Sequence, residues 1–322
     1  MKRRGILAAI SAVALIPLAA CGSSDSGGGG NSFKSDVTVG VLPIADYAAV
    51  YWAQDKGLFK AEGLNVTLKP VQGGPIATQD VATGQLDFAF SNTISTSIAT
   101  QSGLPVKTVV LTSALGPGGL AVYVKPDSPI KSIADLDGKT IGINATKNVG
   151  DVTLQNLLDS KSLSNVHPKF VEVPFPEMLA GVQAGSIDVG YSPEPFSSAA
   201  LGAGMRKIAD LADPNGPNAA LAVSNFIASN SLIKKSPKTV DAFARAMYKA
   251  GADIKAHETE FRQWLPGVAK VPEAVAQKMA LPEFFTETHV DQIQRVVDIL
   301  VKQGLLKKGY NADKYTYVPK GA

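Results

Sequence analysis

An internal repeat is the feature of this sequence that most limits its possible folds. The sequence TVGV at residues 38–41 recurs as TIGI at 140–143, and VATGQLDFAF at 81–90 recurs as VQAGSIDVGY at 182–191. Pro75 and Pro176 also match, and each stands where proline suits the first turn of a helix. Any two α/β units share some glycine and aspartate patterning, but three matched blocks in one order indicate two copies of one unit.

Each copy is predicted to run strand, helix, strand, helix, strand, helix. Strand-length apolar segments alternate with helical stretches, which favours α/β units and largely parallel sheets. In the first copy the predicted strands are 37–42, 64–71 and 86–91, the helices are 46–58, 75–83 and 93–101, and a further strand lies near 107–112. In the second copy the strands are 140–144, 169–173 and 187–191, the helices are 149–160, 176–184 and one after Glu194, and a further strand lies near 206–211. Two similar lobes are therefore expected to face each other.

Two extended apolar segments flank the second copy, 119–125 and 219–227, and are interpreted as the crossings between the lobes. This assigns residues 36–122 and 223–322 to the first lobe and residues 123–222 to the second. A chain of 322 residues with 45% apolar residues is long enough for two hydrophobic cores.

The tail is predicted to be helical and to return to the first lobe. One helix begins after the cap Ser236-Pro237, and a last helix ends near Gly304. Their apolar stripes are predicted to pack in the core rather than to bind a partner, and they consist of Val240, Phe243, Met247 and Ile254, and of Val290, Ile293, Val297 and Leu300.

The N-terminus has the pattern of a bacterial export signal. Lys2, Arg3 and Arg4 precede an apolar run at 5–18, which is too short and too interrupted by proline to span a bilayer core. LAAC at 18–21 resembles the lipobox in which a cysteine is acylated on sulfur. The sequence therefore predicts a signal peptide at 1–20, a lipidated Cys21 and a flexible tether at 21–35 that is rich in glycine and serine. The alternative is a plain signal peptide with an incidental cysteine.

Charge and cysteine content exclude several classes of protein. The formal charge of +3 equals that of the three basic residues before the apolar run, so the rest of the chain has no net charge and no basic field for nucleic acid. The single cysteine excludes an internal disulfide and a thiolate metal cluster. No paired histidines for a metal, no Gly-x-Ser-x-Gly elbow and no phosphate-loop motif occur, so a metal site, a cofactor and enzymatic activity are not expected.

Candidate ligand contacts follow from the ends of the predicted strands. Ligands of open α/β sheets bind beyond the carboxyl ends of the strands, where the N–H groups of the next helix point into a crevice. The first lobe then contributes Asp46, Tyr47, Gln72, Gly73, Gly74, Ser91, Asn92, Thr93 and Ser113. The second lobe contributes Thr146, Asn148, Gly150, Ser192, Glu194 and Phe196.

Several of these candidates have a structural alternative. Asp46 and the segment 91–93 have the residue types of helix caps, and Gly73-Gly74 fits a tight turn. Tyr47 and Phe196 fit either cleft-wall packing or stacking on a ligand. Glu194, between two prolines at a lobe boundary, is the strongest candidate for contact with a ligand or with the opposite lobe. Asp87 and Asp188, matched by the repeat, are expected to accept from nearby backbone donors.

The chain resembles the solute-binding lipoproteins of ABC importers. The resemblance is closest to the family that includes alkanesulfonate, taurine and nitrate binders and binders of thiamine-pyrimidine precursors. It covers the chain from about residue 37 to the C-terminus and is carried by YWAQDKGLF at 51–59, EGLNV at 62–66, GQLD at 84–87, IADLDGKTIG at 133–142, AGSID at 184–188 and EPF at 194–196.

The resemblance implies an α/β two-lobed clamshell of the periplasmic-binding-protein type II, with parallel or mixed sheets flanked by helices and two crossover strands. It implies a monomer, lipid-anchored outside the cytoplasm of a bacterium, that captures a sulfonate, a taurine-like solute or a heteroaromatic precursor for a permease with its ATPase. The family's contacts fall on Tyr47, Gly73-Gly74, the segment 91–93, Thr146, Asn148 and Glu194. The nominated loops contain no arginine, so an anionic group would rest on backbone amides and hydroxyls, whereas Glu194 favours a ligand with an amine.

The chain differs from members of this family in two respects, and two alternative functions are open. The loops lack the basic and histidine side chains of nitrate recognition. The chain also lacks the cysteine-rich motif and reactive histidine of the pyrimidine-forming enzyme that shares this fold. A ligand-sensing or adhesive lipoprotein without transport, and an exported enzyme on the same scaffold, are the alternative functions.

Overall fold

The computed structural model describes residues 32–269 and 271–321. The predicted signal peptide, Cys21 and the predicted tether up to residue 31 lie outside the described residues. Across those ranges, no helix has the length and apolar character needed to cross a bilayer.

The predicted strands and helices occur in the predicted order among eleven strands and twelve α-helices in the part of the chain that the structure describes, and the tail has three more helices and one more strand than predicted. The strands are β1 Asp36–Val41, β2 Asn65–Pro70, β3 Phe88–Asn92, β4 Val106–Ala114, β5 Leu120–Val124, β6 Thr140–Ile143, β7 Lys169–Glu172, β8 Val189–Pro193, β9 Arg206–Asp210, β10 Ser224–Ser229 and β11 Glu283–Phe284. The helices are α1 Ala48–Asp55, α2 Leu58–Ala61, α3 Gly74–Ala82, α4 Thr93–Gln101, α5 Val149–Ser160, α6 Phe175–Ala184, α7 Phe196–Gly202, α8 Asn230–Lys235, α9 Pro237–Ala256, α10 Glu258–Ala269, α11 Glu273–Ala276 and α12 Val290–Lys302.

The two sheets confirm the two-lobed α/β fold and share the same spatial order of strands, with β11 as an additional edge strand of the first. The first has the order β11-β4-β10-β3-β1-β2 and the second the order β7-β6-β8-β5-β9. In each, three parallel strands from the repeat are followed by an antiparallel strand, β10 or β5. We call each sheet with its helices a lobe.

The predicted crossing segments lie partly inside the sheets: residues 120–124 form β5 and residues 224–227 belong to β10, whereas residues 119 and 219–223 lie in the connections. β5 is hydrogen-bonded to β8 and β9 in the second lobe, and β10 lies between β3 and β4 in the first. The lobes are therefore connected by a shorter segment, residues 115–119, and by a longer one, residues 211–223. The physical reason is that extended apolar segments gain backbone hydrogen bonds by joining a sheet. The first lobe boundary thus falls before residue 120, rather than after 122.

Two further expectations are corrected by local structure. The predicted helix 46–58 is a 3-10 turn, Ala45–Tyr47, followed by α1 and α2, which are separated where Gly57 adopts a left-handed φ of +69°. The end of the predicted tether is bound to the first lobe: the Ser32 hydroxyl donates to the Lys235 carbonyl, and the Lys34 N–H donates to the Thr239 hydroxyl at 2.7 Å. The Lys235 carbonyl is at the end of α8, where carbonyl groups have no partner within the helix, and this explains why Ser32 binds there.

The tail confirms the predicted core packing. Val240, Phe243, Met247 and Ile254 of α9 are buried, and Phe243 stacks on Phe88 of β3 with ring centroids 4.1 Å apart. In α12, Ile293, Val297 and Leu300 are buried as well, whereas the predicted Val290 is only partly buried. These helices cover the first sheet and leave its carboxyl edge facing the second lobe.

Candidate functional site

A narrow cavity of about 40 Å³ lies between the lobes at the carboxyl ends of the parallel strands. Five predicted contacts line it, namely Asp46, Tyr47, Gly74, Asn92 and Asn148. The remaining lining residues are Leu42, Ile44, Phe90, Leu115, Leu120, Asn144, Val149, Phe175, Tyr191, Pro193, Val223 and Ser224. The cavity therefore contains one carboxylate, three amides and an aromatic wall, and no basic side chain is among its lining residues.

The repeat organises this lining as pairs of equivalent positions. Asp46 and Asn148 are each the fifth residue after the matched strand sequences TVGV and TIGI, and Leu42 and Asn144 are each the first. Gly74 and Phe175 each precede the matched proline, and Phe90 and Tyr191 end the matched blocks. The two lobes thus present the same backbone positions to the cavity with different chemistry.

Asp46 is the only acid that lines the cavity. Its Oδ1 accepts a hydrogen bond from the Ser224 hydroxyl at 3.3 Å, and its carbonyl accepts one from Ser113 at 3.1 Å. Burial raises the pKa of Asp46 to about 6, and the negative charge of Glu194 adds a smaller increase. Asp46 lies within the 3-10 turn and does not cap it, so the alternative of a helix cap is wrong. Its carboxylate oxygens can accept further hydrogen bonds, and water solvates them poorly.

Tyr47 and Tyr191 form much of the aromatic wall. The Tyr47 ring lies 5.0 Å from Phe90, and its hydroxyl donates to the Ser91 carbonyl within the first lobe. Tyr191 lies 6.1 Å from Phe175 in the second lobe. Burial, and then the charge of Asp46, raise the pKa of Tyr191 well above its usual range, so this phenol keeps its proton. The wall suits a flat, uncharged ring surface.

Asn92 and Asn148 join the lobes at the N-termini of α4 and α5. The side chain of Asn92 accepts from the Ser95 N–H at 2.8 Å, and that of Asn148 accepts from the Val149 N–H at 2.7 Å. The Asn92 Nδ2 donates to the Asn148 Oδ1 at 2.8 Å across the cleft. The Asn148 Nδ2 is buried and has no hydrogen-bond partner among the residues described, which leaves an unsatisfied donor on a residue that lines the cavity.

Other predicted contacts have structural roles next to the cavity. Ser91 is fully buried and bonds to the hydroxyls of Thr78 and Thr96, and the Thr93 hydroxyl donates to the Ala222 carbonyl. Ser113 donates to the carbonyl of Asp46, which positions that residue. Gly73 precedes α3 and does not line the cavity.

In the second lobe, Ser192 shares a hydrogen bond with the Tyr123 hydroxyl at 3.1 Å. Thr146 donates to the Glu172 carboxylate from both its N–H and its hydroxyl. Gly150 lies in α5, against Ile143 and Tyr191. None of these residues lines the cavity.

Glu194, the strongest candidate from the sequence, serves the contact between lobes rather than the cavity. Its carboxylate accepts from the Ser198 hydroxyl at 2.7 Å and from the Ser198 N–H at 3.1 Å. Its carbonyl accepts from the Ala45 N–H of the opposite lobe at 3.1 Å. Asp46, at the other side of that contact, is the carboxylate that lines the cavity.

A second, larger chamber opens at the mouth of the cleft, with a volume of about 400 Å³. The first lobe contributes Leu42, Pro43, Ile44, Pro70, Val71 and Gln72, and the second contributes Pro174, Phe175, Pro176, Glu177 and Phe196. The predicted contacts Gln72 and Phe196 therefore lie here rather than in the inner cavity. Leu42, Ile44 and Phe175 line both spaces.

Some lining residues that the sequence analysis did not name have a signal in the sequence, and others have none. Asn144 and Phe175 occupy repeat positions equivalent to Leu42 and Gly74, so the repeat contained the signal for them. Ser224 follows the long connection between the lobes and has no equivalent in the matched blocks. Its place beside Asp46 depends on the pairing of β10.

The fold and the cleft between similar lobes define a protein of the periplasmic-binding-protein fold. The alkanesulfonate-binding protein SsuA of Xanthomonas axonopodis pv. citri, solved with bound MOPS, has the same fold with a TM-score of 0.74 and 17% identity. The match covers 89% of this chain and 99% of that one.

More specifically, the chain belongs to the NMT1/THI5 like family, whose model matches residues 44–260. The riboflavin-binding protein RibY of Chloroflexus aurantiacus is 28% identical over 225 residues, which are 68% of this chain and 62% of that protein. A putative thiamine biosynthesis protein of Haemophilus influenzae is 25% identical over 283 residues, which are 84% of this chain and 87% of that protein.

Proposed function

We propose that this chain is the solute-binding component of an ABC importer and that its ligand is a small nitrogen heterocycle with an amine or ring N–H donor. The observation that carries this proposal is the Asp46 carboxylate, which is the only charged group lining a cavity with an aromatic wall. The names of the relatives, a riboflavin-binding protein and a putative thiamine biosynthesis protein, support a heteroaromatic ligand.

Asp46 selects the charge of the ligand. A poorly solvated carboxylate binds a cation or a strong donor well, because the interaction is weakly screened. The same carboxylate repels nitrate and sulfonate, and no lining arginine, lysine or histidine compensates for it. The geometry therefore favours the heteroaromatic class over the sulfonate and taurine-like classes that the sequence left open.

Asn148 supplies the complementary contact from the second lobe. Its buried Nδ2 has no hydrogen-bond partner among the residues described, and an unsatisfied buried donor costs roughly 1–3 kcal/mol. A ligand with a ring nitrogen or carbonyl acceptor would remove that cost. An amino heterocycle combines this acceptor with the donor that Asp46 requires.

Binding is coupled to the movement of the lobes. The inner cavity of about 40 Å³ is smaller than an aromatic ring and holds only a few water molecules. The lobes must therefore separate for a ring to enter, with the connections 115–119 and 211–223 as the hinge, and the closed state with ligand must be wider than the cavity seen here. A ligand that contacts Asp46 and Asn148 together favours the closed state, which the permease would recognise.

The N-terminal pattern supports export and anchoring. Signal cleavage before Cys21 and acylation of its sulfur would hold the lobes outside the cytoplasmic membrane, at high local concentration near the permease. Two acyl chains are needed for lasting attachment. A Cys21→Ser variant is expected to move from the membrane fraction to the soluble exported fraction, whereas unchanged fractionation would contradict lipid anchoring.

Calorimetry with a charge-matched variant tests the ligand class. The purified protein is titrated with an aminopyrimidine, riboflavin, taurine, an alkanesulfonate and nitrate. We expect at least one heterocycle to bind, and Asp46→Asn to weaken it roughly tenfold or more, since a charged hydrogen bond contributes about 1.5–3 kcal/mol. Asp127→Asn, on an exposed turn of the second lobe, is the control and leaves affinity unchanged. Glu194→Gln should have little effect. Tight binding of nitrate or a sulfonate with no dependence on Asp46 would refute the proposal.

A further inference from the structure

The inner cavity and the chamber at the cleft mouth adjoin each other and have different linings. Leu42, Ile44 and Phe175 line both, so a ligand that occupies the two spaces would pass beside these side chains. The inner part carries the polar groups Asp46 and Asn148, whereas the outer part is lined mainly by prolines and apolar side chains. The outer chamber, with about 400 Å³, is much the larger.

The outer chamber is built from both lobes and is rich in proline. Pro43 and Pro70 come from the first lobe, and Pro174 and Pro176 from the second. Proline has a fixed φ and little conformational freedom to lose when a ligand binds. Phe196 stacks on Phe175 with ring centroids 5.8 Å apart, which fixes the aromatic part of this wall.

We propose that the outer chamber is a second ligand subsite, which binds an uncharged apolar or aromatic group attached to the heterocycle held by Asp46. The ligand is then a two-part molecule with a polar nitrogen ring inside and an apolar extension at the mouth. This inference rests on the proposed function and adds the class of substituent.

The charge of the outer lining excludes a phosphorylated extension. Glu177 is its only ionisable residue, and Gln72 is its only other polar side chain. A phosphate or sulfonate there would meet a carboxylate and no cation. An aromatic group instead buries its surface against Pro43, Phe175 and Phe196, which favours binding by an amount proportional to the apolar area removed from water.

Three probes separate this subsite from the inner one: an aminopyrimidine, the same molecule with a benzyl substituent, and the same molecule with a phosphomethyl substituent. Each is titrated by calorimetry into the full chain in detergent. We expect the benzyl compound to bind roughly tenfold or more tightly than the parent, as burial of an aromatic side chain predicts. The phosphomethyl compound should bind no more tightly than the parent.

Phe196→Ala should reduce the gain from the benzyl group to less than roughly threefold, where the gain is the ratio of the affinities of the benzyl compound and the parent for the same variant. Pro43→Ser, at an exposed position on the opposite lobe, should also reduce the gain and does not depend on the packing of Phe196. Ile76→Ala is the control, because this exposed apolar residue lies outside both linings.

The outcomes distinguish the two proposals. Binding of the parent with dependence on Asp46, but no gain from the benzyl group, overturns the subsite and leaves the proposed function intact. A gain that Phe196→Ala and Pro43→Ser do not change also overturns it. Binding of the benzyl compound with dependence on Phe196 but none on Asp46 supports the outer subsite and overturns the proposed head group. If no probe binds, both proposals are wrong.

Discussion

Asn92 and Asn148 each cap a helix of their own lobe and are hydrogen-bonded to each other across the cleft, with Nδ2 and Oδ1 2.8 Å apart. Both are buried, with exposures of 5% and 2%. The N-termini of α4 and α5 are thereby held face to face, so local helix capping and closure of the lobes depend on the same side chains.

Asn148→Ala should therefore weaken both properties. Loss of the cap is expected to lower the free energy of unfolding by about 1 kcal/mol, and loss of the contact across the cleft to shift the lobes towards an open arrangement. Chemical denaturation measures the first effect, and the radius of gyration from solution scattering measures the second. Asn311→Ala is the control, because it removes the cap of the 3-10 turn Ala312–Tyr315 far from the cleft. An equal increase in radius for both variants would contradict the role of Asn148.

Asp46 gives the protein a measurable dependence of stability on pH. Its folded-state pKa of about 6 lies above the ordinary value of 3.8, so the folded state binds this proton more tightly than the unfolded state. Between these two pKa values the free energy of unfolding falls as the pH rises. Above about pH 6 the ionised Asp46 lowers it by the full amount, up to roughly 3 kcal/mol.

Asp46→Asn is thus expected to be more stable than the natural protein near pH 7.5, and about equally stable near pH 4. Urea unfolding of both proteins at the two pH values measures this difference. The same variant loses affinity for the ligand, because it keeps the hydrogen bond from Ser224 but not the charge. A variant less stable than the natural protein near pH 7.5 would show that burial does not destabilise the carboxylate.

Gly150 is required for close packing rather than for ligand contact. A Cβ atom there would lie 2.9 Å from the Ile143 Cγ2 and 3.0 Å from the Tyr191 ring. Gly150→Ala should therefore lower the free energy of unfolding by about 1–3 kcal/mol through overpacking, and displacing Tyr191 should also weaken ligand binding. Gly202→Ala at the end of α7 is the control, since its Cβ would meet nothing within 4 Å. Thermal unfolding of the two variants checks the prediction, and equal stability would contradict it.

Much of the fold was predictable because local sequence patterns specify it and because the repeat shows each pattern twice. The predicted helices 93–101 and 149–160 have the observed bounds, since Asn92 and Asn148 are caps that the sequence displays. The crossings were not predictable in this way. The position of β10 between β3 and β4 depends on pairing with strands more than one hundred residues away, and no local pattern specifies such a partner.

The candidate site was predictable where residues follow repeated strands and not where they depend on long-range pairing. Asp46, Gly74, Asn92 and Asn148 lie at strand ends or helix starts and reach the cavity. Ser224 reaches it only because β10 pairs with β3 and β4. The sequence does not show that Ser198, four residues later, donates to the Glu194 carboxylate, because such a local hydrogen bond depends on the exact path of the turn.

Asp87 and Asp188 perform the same structural task in the two copies of the repeat. The Asp87 Oδ2 accepts from the Thr38 N–H at 2.9 Å, and the Asp188 Oδ2 accepts from the Thr140 N–H at 2.8 Å. In each lobe an aspartate before the third parallel strand thus holds the start of the first, away from the cavity, as the repeat predicts.

Asp87→Ala and Asp188→Ala should each lower the free energy of unfolding by about 1–2 kcal/mol, through loss of hydrogen bonds to a charged acceptor. Asp87 should show the larger effect, because it also accepts from the Thr38 hydroxyl and pairs with Lys34. The two aspartates lie in different lobes, so the losses should add in the double variant. Denaturant unfolding gives the stabilities and calorimetry the ligand affinity, which should stay unchanged in both single variants. A loss of affinity without a loss of stability in either one would instead assign that aspartate to the ligand site.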